Sequence, residues 1–400
     1  VGASLAGLWA CESLRGGDYS GTITLVGAES HQPYDRPPLS KALLKGDLEP
    51  ERIHLRKPDE LSSLGLDLRL GTAAIALDAA NRTVTLQSGE RLEADGVIVA
   101  TGSAPRPLPG QPDFDGVTML RTLDDSLELR RRLADQPRVV VIGAGFIGLE
   151  VAATAAQSGC AVTVLEGAGA PLIRGLGAEM GQIVARVHQR HGVRVECGVQ
   201  VVGIEDVDGR ATGVRLGSGE LVAADIVVVG IGVAPATEWL VDSGLEIRDG
   251  VVCDDSLRAA PGIYAAGDCA RWVNNLFGES GEEMRVEHWT NAAEQGSAAA
   301  KNLLAELSGG ESVPYAPVPF FWSDQFDSRI QYVGRAHGDD VVEVVAGDID
   351  GNFMALYGHD DRLRGVLGVN MPKPVMRMRK LLAGRASWGE ALDHAAGLAQ

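Results

Sequence analysis

The sequence predicts an α/β protein with two nucleotide-binding βαβ units and a small α+β unit at its C-terminal end. Three observations carry this. Glycine clusters at residues 2–7 and 143–148 each open a helical stretch, and each is followed by an apolar strand with an acidic residue at its end. Two further apolar strands, beginning at Val97 and Ile226, each run into a glycine turn. Prolines at 314, 317 and 319 then set off a final stretch of alternating strands. Strands interleaved with helices indicate parallel sheets, and the late run of strands indicates a separate α+β layer.

The second glycine cluster is the more regular. Val139-Val140-Val141-Ile142 reads as a buried parallel strand, Gly143-Ala144-Gly145-Phe146-Ile147-Gly148 opens a helix, and Val162-Thr163-Val164-Leu165-Glu166 is the next strand. Gly143 permits the tight turn, and Gly145 lets backbone N–H groups approach a pyrophosphate. Gly148 lets the helix lie close on the strand, while the helix N-terminus attracts phosphate. Glu166, eighteen residues past Gly148, is placed to accept from a ribose 2′-hydroxyl. Strand, glycines, helix and terminal acid in register predict a Rossmann-type dinucleotide site. Glu166 should favour NADH over NADPH by repelling a 2′-phosphate, with Arg174 eight residues further on as an opposing charge.

Gly2-Ala3-Ser4-Leu5-Ala6-Gly7 repeats the spacing with Ser4 in the middle place. The strand that should lead into it is expected ahead of Val1. Thr22-Ile23-Thr24-Leu25-Val26 alternates and ends at Gly27-Ala28-Glu29, which puts Glu29 at a second ribose position. Beside the regular copy, this reads as a second Rossmann-type unit.

A chain of 400 residues is long enough for two or three cores. Its 36 Lys and Arg against 54 Asp and Glu leave a formal charge of −18, which argues against nucleic acid or an anionic membrane as main partner. No apolar run approaches the roughly 20 residues that span a bilayer, so a cytoplasmic location is expected. The five cysteines, at 11, 160, 197, 253 and 269, show no CxxC spacing. Neither a redox dithiol nor a zinc site is expected, no metal is assigned, and packing is the reading for each cysteine.

The chain order predicts that the first unit is interrupted and resumed. Val97 to Gly102 is a strand and glycine turn, and Pro105, Pro107, Pro109 and Pro112 mark a boundary after it. The strand from Ile226 ends at Gly230-Ile231-Gly232 before Pro235, and Gly262 to Asp268 resumes the first unit. The expected domains are 1–108 with 237–315, then 109–236, then 316–400. Residues 291–306 are alanine-rich and helical, with Thr290 or Asn291 able to cap the start. Strands are expected at 330–333, 341–345 and 353–357, with a helix rich in Arg and Leu near the end.

With these residues in view, the chain resembles the FAD-dependent NADH:ferredoxin reductases of bacterial oxygenase systems. The most specific stretches are Tyr34-Asp35-Arg36-Pro37-Pro38-Leu39-Ser40-Lys41, Leu120-Arg121-Thr122-Leu123-Asp124 and Phe321-Trp322-Ser323-Asp324-Gln325, joined by Gly267-Asp268 and Val286-Glu287-His288-Trp289-Thr290-Asn291. The resemblance covers nearly the whole chain. It implies a glutathione-reductase-like fold, FAD and NADH as cofactors, and electrons passed singly to a two-iron, two-sulfur ferredoxin that serves an oxygenase. It also implies roles by position. Gly2, Ala6, Gly7, Ala28 and Glu29 fall where FAD phosphates and ribose are held, with Thr101 and Gly102 at the turn beside them and Ala74 near the adenine. Arg36, Lys41 and Arg121 fall beside the FAD, Gly267 and Asp268 at its ribitol chain, and Trp289 at a helix start aimed at the flavin. Gly143, Gly145, Ile147, Gly148, Glu150, Glu166 and Gly232 fall at the NADH site. Ser4 in a glycine's place and the apolar Ala28 depart from the pattern; backbone contacts survive both changes.

Several of these residues have a plainer reading. Lys41 is either a fixed cation near the flavin or a surface lysine, and Glu150 either pairs with Lys41 or is a solvated helix carboxylate. Asp268 either binds cofactor or caps the next segment. Trp322 either sits beside the flavin or packs with Phe320 and Phe321. Lys373, Arg377, Arg379, Lys380 and Arg385 form a basic stretch on an acidic chain, either a docking face for an acidic ferredoxin or a solvated helix face. Lys41, Glu150 and Trp322 are the residues expected to carry the chemistry. Ser30-His31-Gln32-Pro33-Tyr34 lacks the cysteine a disulfide or peroxide reductase needs. An NADH oxidase, a monodehydroascorbate-type reductase or a redox-sensing FAD- and NAD-binding interaction protein needs none, so these stay open on the residues alone.

Overall fold

The structure, a computed structural model, describes residues 1–110, 113–277 and 282–398, so Pro112 lies outside the described residues. The chain forms two compact units. One comprises Val1–Asp35, His54–Ala104 and Ala234–Phe321; the other comprises Arg36–Ile53, Pro105–Val233 and Trp322–Gln400.

In the first unit the helix Leu5–Gly16 lies along the helix Trp289–Leu307. The approach is close because Gly296 faces the Ala6 carbonyl, where a Cβ would collide. The strand expected over 22–26 is regular at Thr24–Val26 and pairs in parallel with Asp67–Arg69. The Asp67 amide donates to the Ile23 carbonyl, so pairing continues one residue further. Val97–Val99 pairs in parallel with Ile263–Ala265, two segments joined only by sequence distant from both. That pairing is how the chain resumes an interrupted unit. Tyr264 and Trp272 are fully buried at its core.

The second unit holds a five-stranded parallel sheet in the order Arg194–Cys197, Ala161–Glu166, Arg138–Ile142, Ile226–Val229, Val117–Thr118. The helix Phe146–Gln157 is buried almost all round, which its Ala- and Val-rich sequence suits. Leu149 and Val151 are fully buried there, and each such side chain stabilises by about 1.5–3 kcal/mol. An antiparallel sheet of Val201–Val207, Arg210–Leu216 and Leu221–Ala223 follows.

The C-terminal part is a five-stranded sheet ordered Phe320–Gln325, Ser328–Gly334, Arg362–Val369, Phe353–His359, Val341–Gly347. Two of these strands, Phe320–Gln325 and Arg362–Val369, go beyond the expectation. The second hides behind Gly365 and Gly368, which weaken strand propensity. They are small because the Tyr332 hydroxyl and Val375 side chain occupy the space a Cβ would need. The expected terminal helix is two helices, Pro372–Ala383 and Trp388–Leu398. They are separated at Gly384-Arg385, where Arg385 adopts φ 55°. The helix at 289 also differs at its start. It begins at Trp289 behind His288 with no side-chain cap, since Thr290 Oγ1 donates to the Phe320 carbonyl and Asn291 Nδ2 to the Val286 carbonyl.

Candidate active site

The two glycine loops have the same construction, one in each unit. Gly2 has φ 115° and Gly143 has φ 101°, conformations that side chains rarely adopt. Each backs onto a carbonyl at the end of the strand that closes its unit, Ala100 for Gly2 and Gly230 for Gly143. The Gly2 amide donates to Val26 at 2.8 Å, and the Gly143 amide donates to Leu165 at 2.8 Å. A Cβ on Gly7 would strike the Gly2 carbonyl, and one on Gly148 would strike the Gly143 carbonyl. The middle position is different. Gly145 is exposed at φ −76°, and a Cβ there would meet no protein atom nearer than 4.0 Å. The fold therefore does not require glycine in the middle, which explains why Ser4 fits at φ −133°. What Gly145 leaves open is an approach from outside the protein.

The helix starts point the same way. Among the described residues Leu5–Gly16, Phe146–Gln157 and Trp289–Leu307 lack a side-chain cap, as do Ile173–Arg190 and Pro372–Ala383, but only the first two open from a glycine loop. The helix Leu123–Leu133 has a complete capping box from Thr122 and Asp125. Uncapped N–H groups at a glycine loop are anion-binding groups. These loops therefore fit the phosphates of two dinucleotides.

The acids lie at the strand ends. Glu166 accepts from the amides of Ala144 and Ala168 at 2.7 and 2.8 Å, which ties its carboxylate to the glycine loop. Glu29 accepts from the Tyr34 hydroxyl at 2.5 Å. Asp268 accepts from Ser103 Oγ at 2.7 Å, and the Gly267 amide donates to Gln295. Thr101 Oγ1 donates to the Ala236 carbonyl, and Gly102 and Gly232 both have positive φ. Ala6 packs beneath Gly267, Ala28 is exposed, and Ala74 starts a strand. Trp289 Nε1 donates to Asp35 at 2.6 Å, and its ring stands edge-on to Trp9. In the second unit, Arg36 Nη1 donates to the Arg121 carbonyl at 2.6 Å. Ile147 exposes its apolar side chain beside the glycine loop.

Lys41 and Glu150 form an ion pair, Nζ to Oε2, of 2.7 Å. Glu150 is 6% exposed. Its Oε2 also accepts from Ser40 Oγ at 2.5 Å, and its Oε1 from Ser323 Oγ at 2.6 Å. A buried carboxylate needs both a counter-charge and hydrogen bonds, and it has them. Ser40 is itself held, since its carbonyl accepts from Thr154 Oγ1 at 2.7 Å. Gln325 Nε2 donates to Ser323 Oγ, and Gln325 Oε1 pairs with His188 Nε2 at 2.9 Å. Sequence reasoning missed Ser40 and Ser323 as partners of Glu150, and Thr154, Gln325 and His188 as the residues that hold those partners in turn. The one signal was that Ser323 and Gln325, two apart on a strand, share a face. Trp322 is half-buried on that strand.

All five cysteines are free. Burial raises every thiol, Cys11 to about 11, with the Glu166 charge adding to the effect at Cys197. On the helix Pro372–Ala383, Lys373, Arg377 and Lys380 are exposed opposite buried Val375, Met378 and Leu382. Arg379 is half-buried, and Arg385 is exposed just past the helix. Among the described residues no helix is long and apolar enough to cross a membrane.

Comparison with known proteins bears on the whole chain. Residues 1–296 match the pyridine nucleotide-disulphide oxidoreductase family, and residues 320–398 match a reductase C-terminal domain. The chain is 40% identical to rhodocoxin reductase of Rhodococcus erythropolis, over 96% of this chain and 88% of that protein. It is 34% identical to putidaredoxin reductase of Pseudomonas putida, over 96% and 91%. Its structure resembles that in the covalent putidaredoxin reductase–putidaredoxin complex, with a TM-score of 0.91 and 33% identity over 100% of this chain and 97% of the other. The fold is thus glutathione-reductase-like. The chain belongs to the pyridine nucleotide-disulphide oxidoreductase family, among the FAD-dependent ferredoxin reductases of oxygenase systems.

Proposed function

We infer that this protein is an NADH-dependent ferredoxin reductase whose two glycine loops hold FAD and NADH. The observation that carries this reading is the pair of loops, alike in construction and each opening an uncapped helix, on a chain that aligns with ferredoxin reductases over almost its full length. When bound, FAD would supply the chemistry that the side chains cannot, the conversion of a hydride from NADH into single electrons for a two-iron, two-sulfur ferredoxin that serves an oxygenase.

The chain's own residues bind and orient. We assign the FAD domain to 1–108 and 237–315, the NAD domain to 109–236, and the C-terminal domain to 316–400. Uncapped amides at residues 5–7 and 146–148 take the phosphates, and Glu29 and Glu166 take ribose hydroxyls. Asp268, held by Ser103, faces the ribitol chain, and Arg36 and Arg121 lie beside the FAD. Lys41, fixed by Glu150, would supply a positive charge to the bound flavin, and the helix starting at Trp289 would supply the positive end of its dipole. Trp322 marks the edge from which electrons leave. The exposed Lys373, Arg377 and Lys380 steer an acidic ferredoxin to the C-terminal domain. The expected location is the cytoplasm.

The test is direct. FAD-loaded protein should reduce a two-iron, two-sulfur ferredoxin with NADH far faster than it reduces oxygen or ascorbate radical. Faster turnover with oxygen or the radical would favour an oxidase or a monodehydroascorbate-type reductase. Slow flavin reduction with no transfer to any carrier would favour a sensor.

A further inference from the structure

The hydrogen bonds around Glu150 continue beyond the ion pair into a buried chain whose donors and acceptors can be assigned one by one. Gln325 is 1% exposed, and both ends of its amide are engaged. Its Nε2 donates to Ser323 Oγ at 3.0 Å, so its Oε1 must accept from His188 Nε2 at 2.9 Å. His188 is fully buried, and burial lowers its imidazole to about 4, so it is neutral and carries its proton on Nε2. Its Nδ1, which in that tautomer carries only a lone pair, is buried without a hydrogen-bond partner among the described residues. Phe326 stands edge-on to the ring at 5.1 Å and limits its rotation. Each bond therefore runs one way, from His188 to Gln325 to Ser323 to the Oε1 atom of Glu150.

We propose that His188 is a positioning residue for the Lys41–Glu150 pair: by fixing the orientation of the Gln325 amide, it directs the Ser323 hydroxyl onto Glu150. The reason lies in the symmetry of an amide. Without a donor at the position of His188 Nε2, the Gln325 amide can turn over and present its oxygen to Ser323. The hydroxyl then donates to Gln325, and Glu150 Oε1 loses its donor while the carboxylate stays buried. Lys41 and Ser40 remain on Oε2 alone, so the carboxylate is held at one end and free to rotate about it. A helix residue 38 positions beyond Glu150 in sequence thereby controls how a lysine near residue 40 is held. The effect on electron transfer rests on the reading that Lys41 lies beside the flavin; the effect on Glu150 does not.

Two variants of the FAD-loaded protein separate donor from bulk. His188→Phe keeps a ring and removes the donor, whereas His188→Gln restores an N–H near the place of Nε2. The first readout is the carboxyl ¹³C resonance of Glu150, assigned by its loss in Glu150→Gln. The second is the stopped-flow rate of flavin reduction by NADH. His188→Phe should displace the resonance and slow reduction about tenfold, the worth of one hydrogen bond to a charged group. His188→Gln should restore both. An undisplaced resonance in folded His188→Phe overturns the proposal. Should that variant fail to fold, Gln325→Leu breaks the chain one link nearer and must displace the resonance, or the proposal falls. A displaced resonance with an unchanged reduction rate upholds the role of His188 and instead refutes the placement of Lys41 beside the flavin.

Discussion

A carboxylate buried with its counter-ion is most exposed to the loss of that counter-ion. Lys41→Met removes the charge that pairs with Glu150 at 2.7 Å and should cost about 3 kcal/mol, read as a lower urea midpoint. Glu150→Gln removes the charge but keeps the shape, and should cost about 1 kcal/mol. A larger loss for Glu150→Gln than for Lys41→Met would contradict the arrangement. As the proposed ribose partner, Glu166 is expected to act by selection rather than stability. NADH should be preferred to NADPH in kcat/KM, and Glu166→Ala should narrow the gap about tenfold or more, because the repulsion of a 2′-phosphate goes with it. A wild-type enzyme indifferent between the two would remove Glu166 from the ribose site. The thiols make a third case. Each is pushed up by burial, so alkylation of folded, NADH-reduced enzyme at neutral pH should leave turnover intact.

Strand, turn and helix are jointly at stake in the glycine loops, and their three positions make separable demands. Gly148→Ala drives a Cβ into the Gly143 carbonyl and should lower the melting temperature of the apoprotein. Gly145→Ala meets nothing nearer than 4.0 Å and should leave the melting temperature unchanged while weakening NADH binding. A stability loss at Gly145 would mean that the loop, not the ligand, demands glycine there. This is also where the sequence was easiest to read. Fingerprint glycines, apolar strands and terminal acids are local patterns, set by backbone sterics within some 30 residues. The surroundings of Glu150 are not local. Ser40, Ser323 and His188 come from a short turn, a strand and a helix far apart in the chain, and each is an unremarkable residue in its own segment. The Arg362–Val369 strand was hidden for a related reason: its glycines answer to Tyr332 and Val375, not to their neighbours in sequence. Thr290 or Asn291 suits a cap because caps are local, yet the hydroxyl of one and the amide of the other serve the carbonyls of Phe320 and Val286.

At the scale of the whole molecule, two histidines are held neutral, the buried His188 in one unit and the half-buried His288 in the other. Burial brings His288 as well as His188 down to about 4 from an ordinary value near 6.5. The unfolded chain takes up protons on these groups as pH falls through 6.5, while the folded chain does not until about 4. Between those values the unfolded state binds more protons, so stability is complete above about 6.5 and declines as pH falls towards 4, by up to about 1.4 kcal/mol per pH unit for each histidine. Urea unfolding at pH 7, 6 and 5 should show the decline, and His188→Gln should flatten it in the second unit. Equal midpoints at pH 7 and 5 would contradict the lowering of both imidazoles. The acidic surface, charge −18, is interrupted by the basic helix face of Lys373, Arg377 and Lys380. Arg377→Glu with Lys380→Glu should raise KM for ferredoxin several-fold at low salt and weaken its salt dependence, with flavin reduction by NADH unchanged. Unaltered ferredoxin kinetics would place docking elsewhere.

The raising of all five thiols by burial has a practical corollary. A chain whose five native sulfurs are all disfavoured as thiolates leaves room for one introduced at will. A single surface cysteine placed on the exposed side of Pro372–Ala383 would anchor every molecule to a gold electrode in one orientation, with the proposed docking face against the metal. Current drawn from NADH would then compare the electrode with the natural acceptor as a sink for electrons, on an enzyme otherwise unmodified.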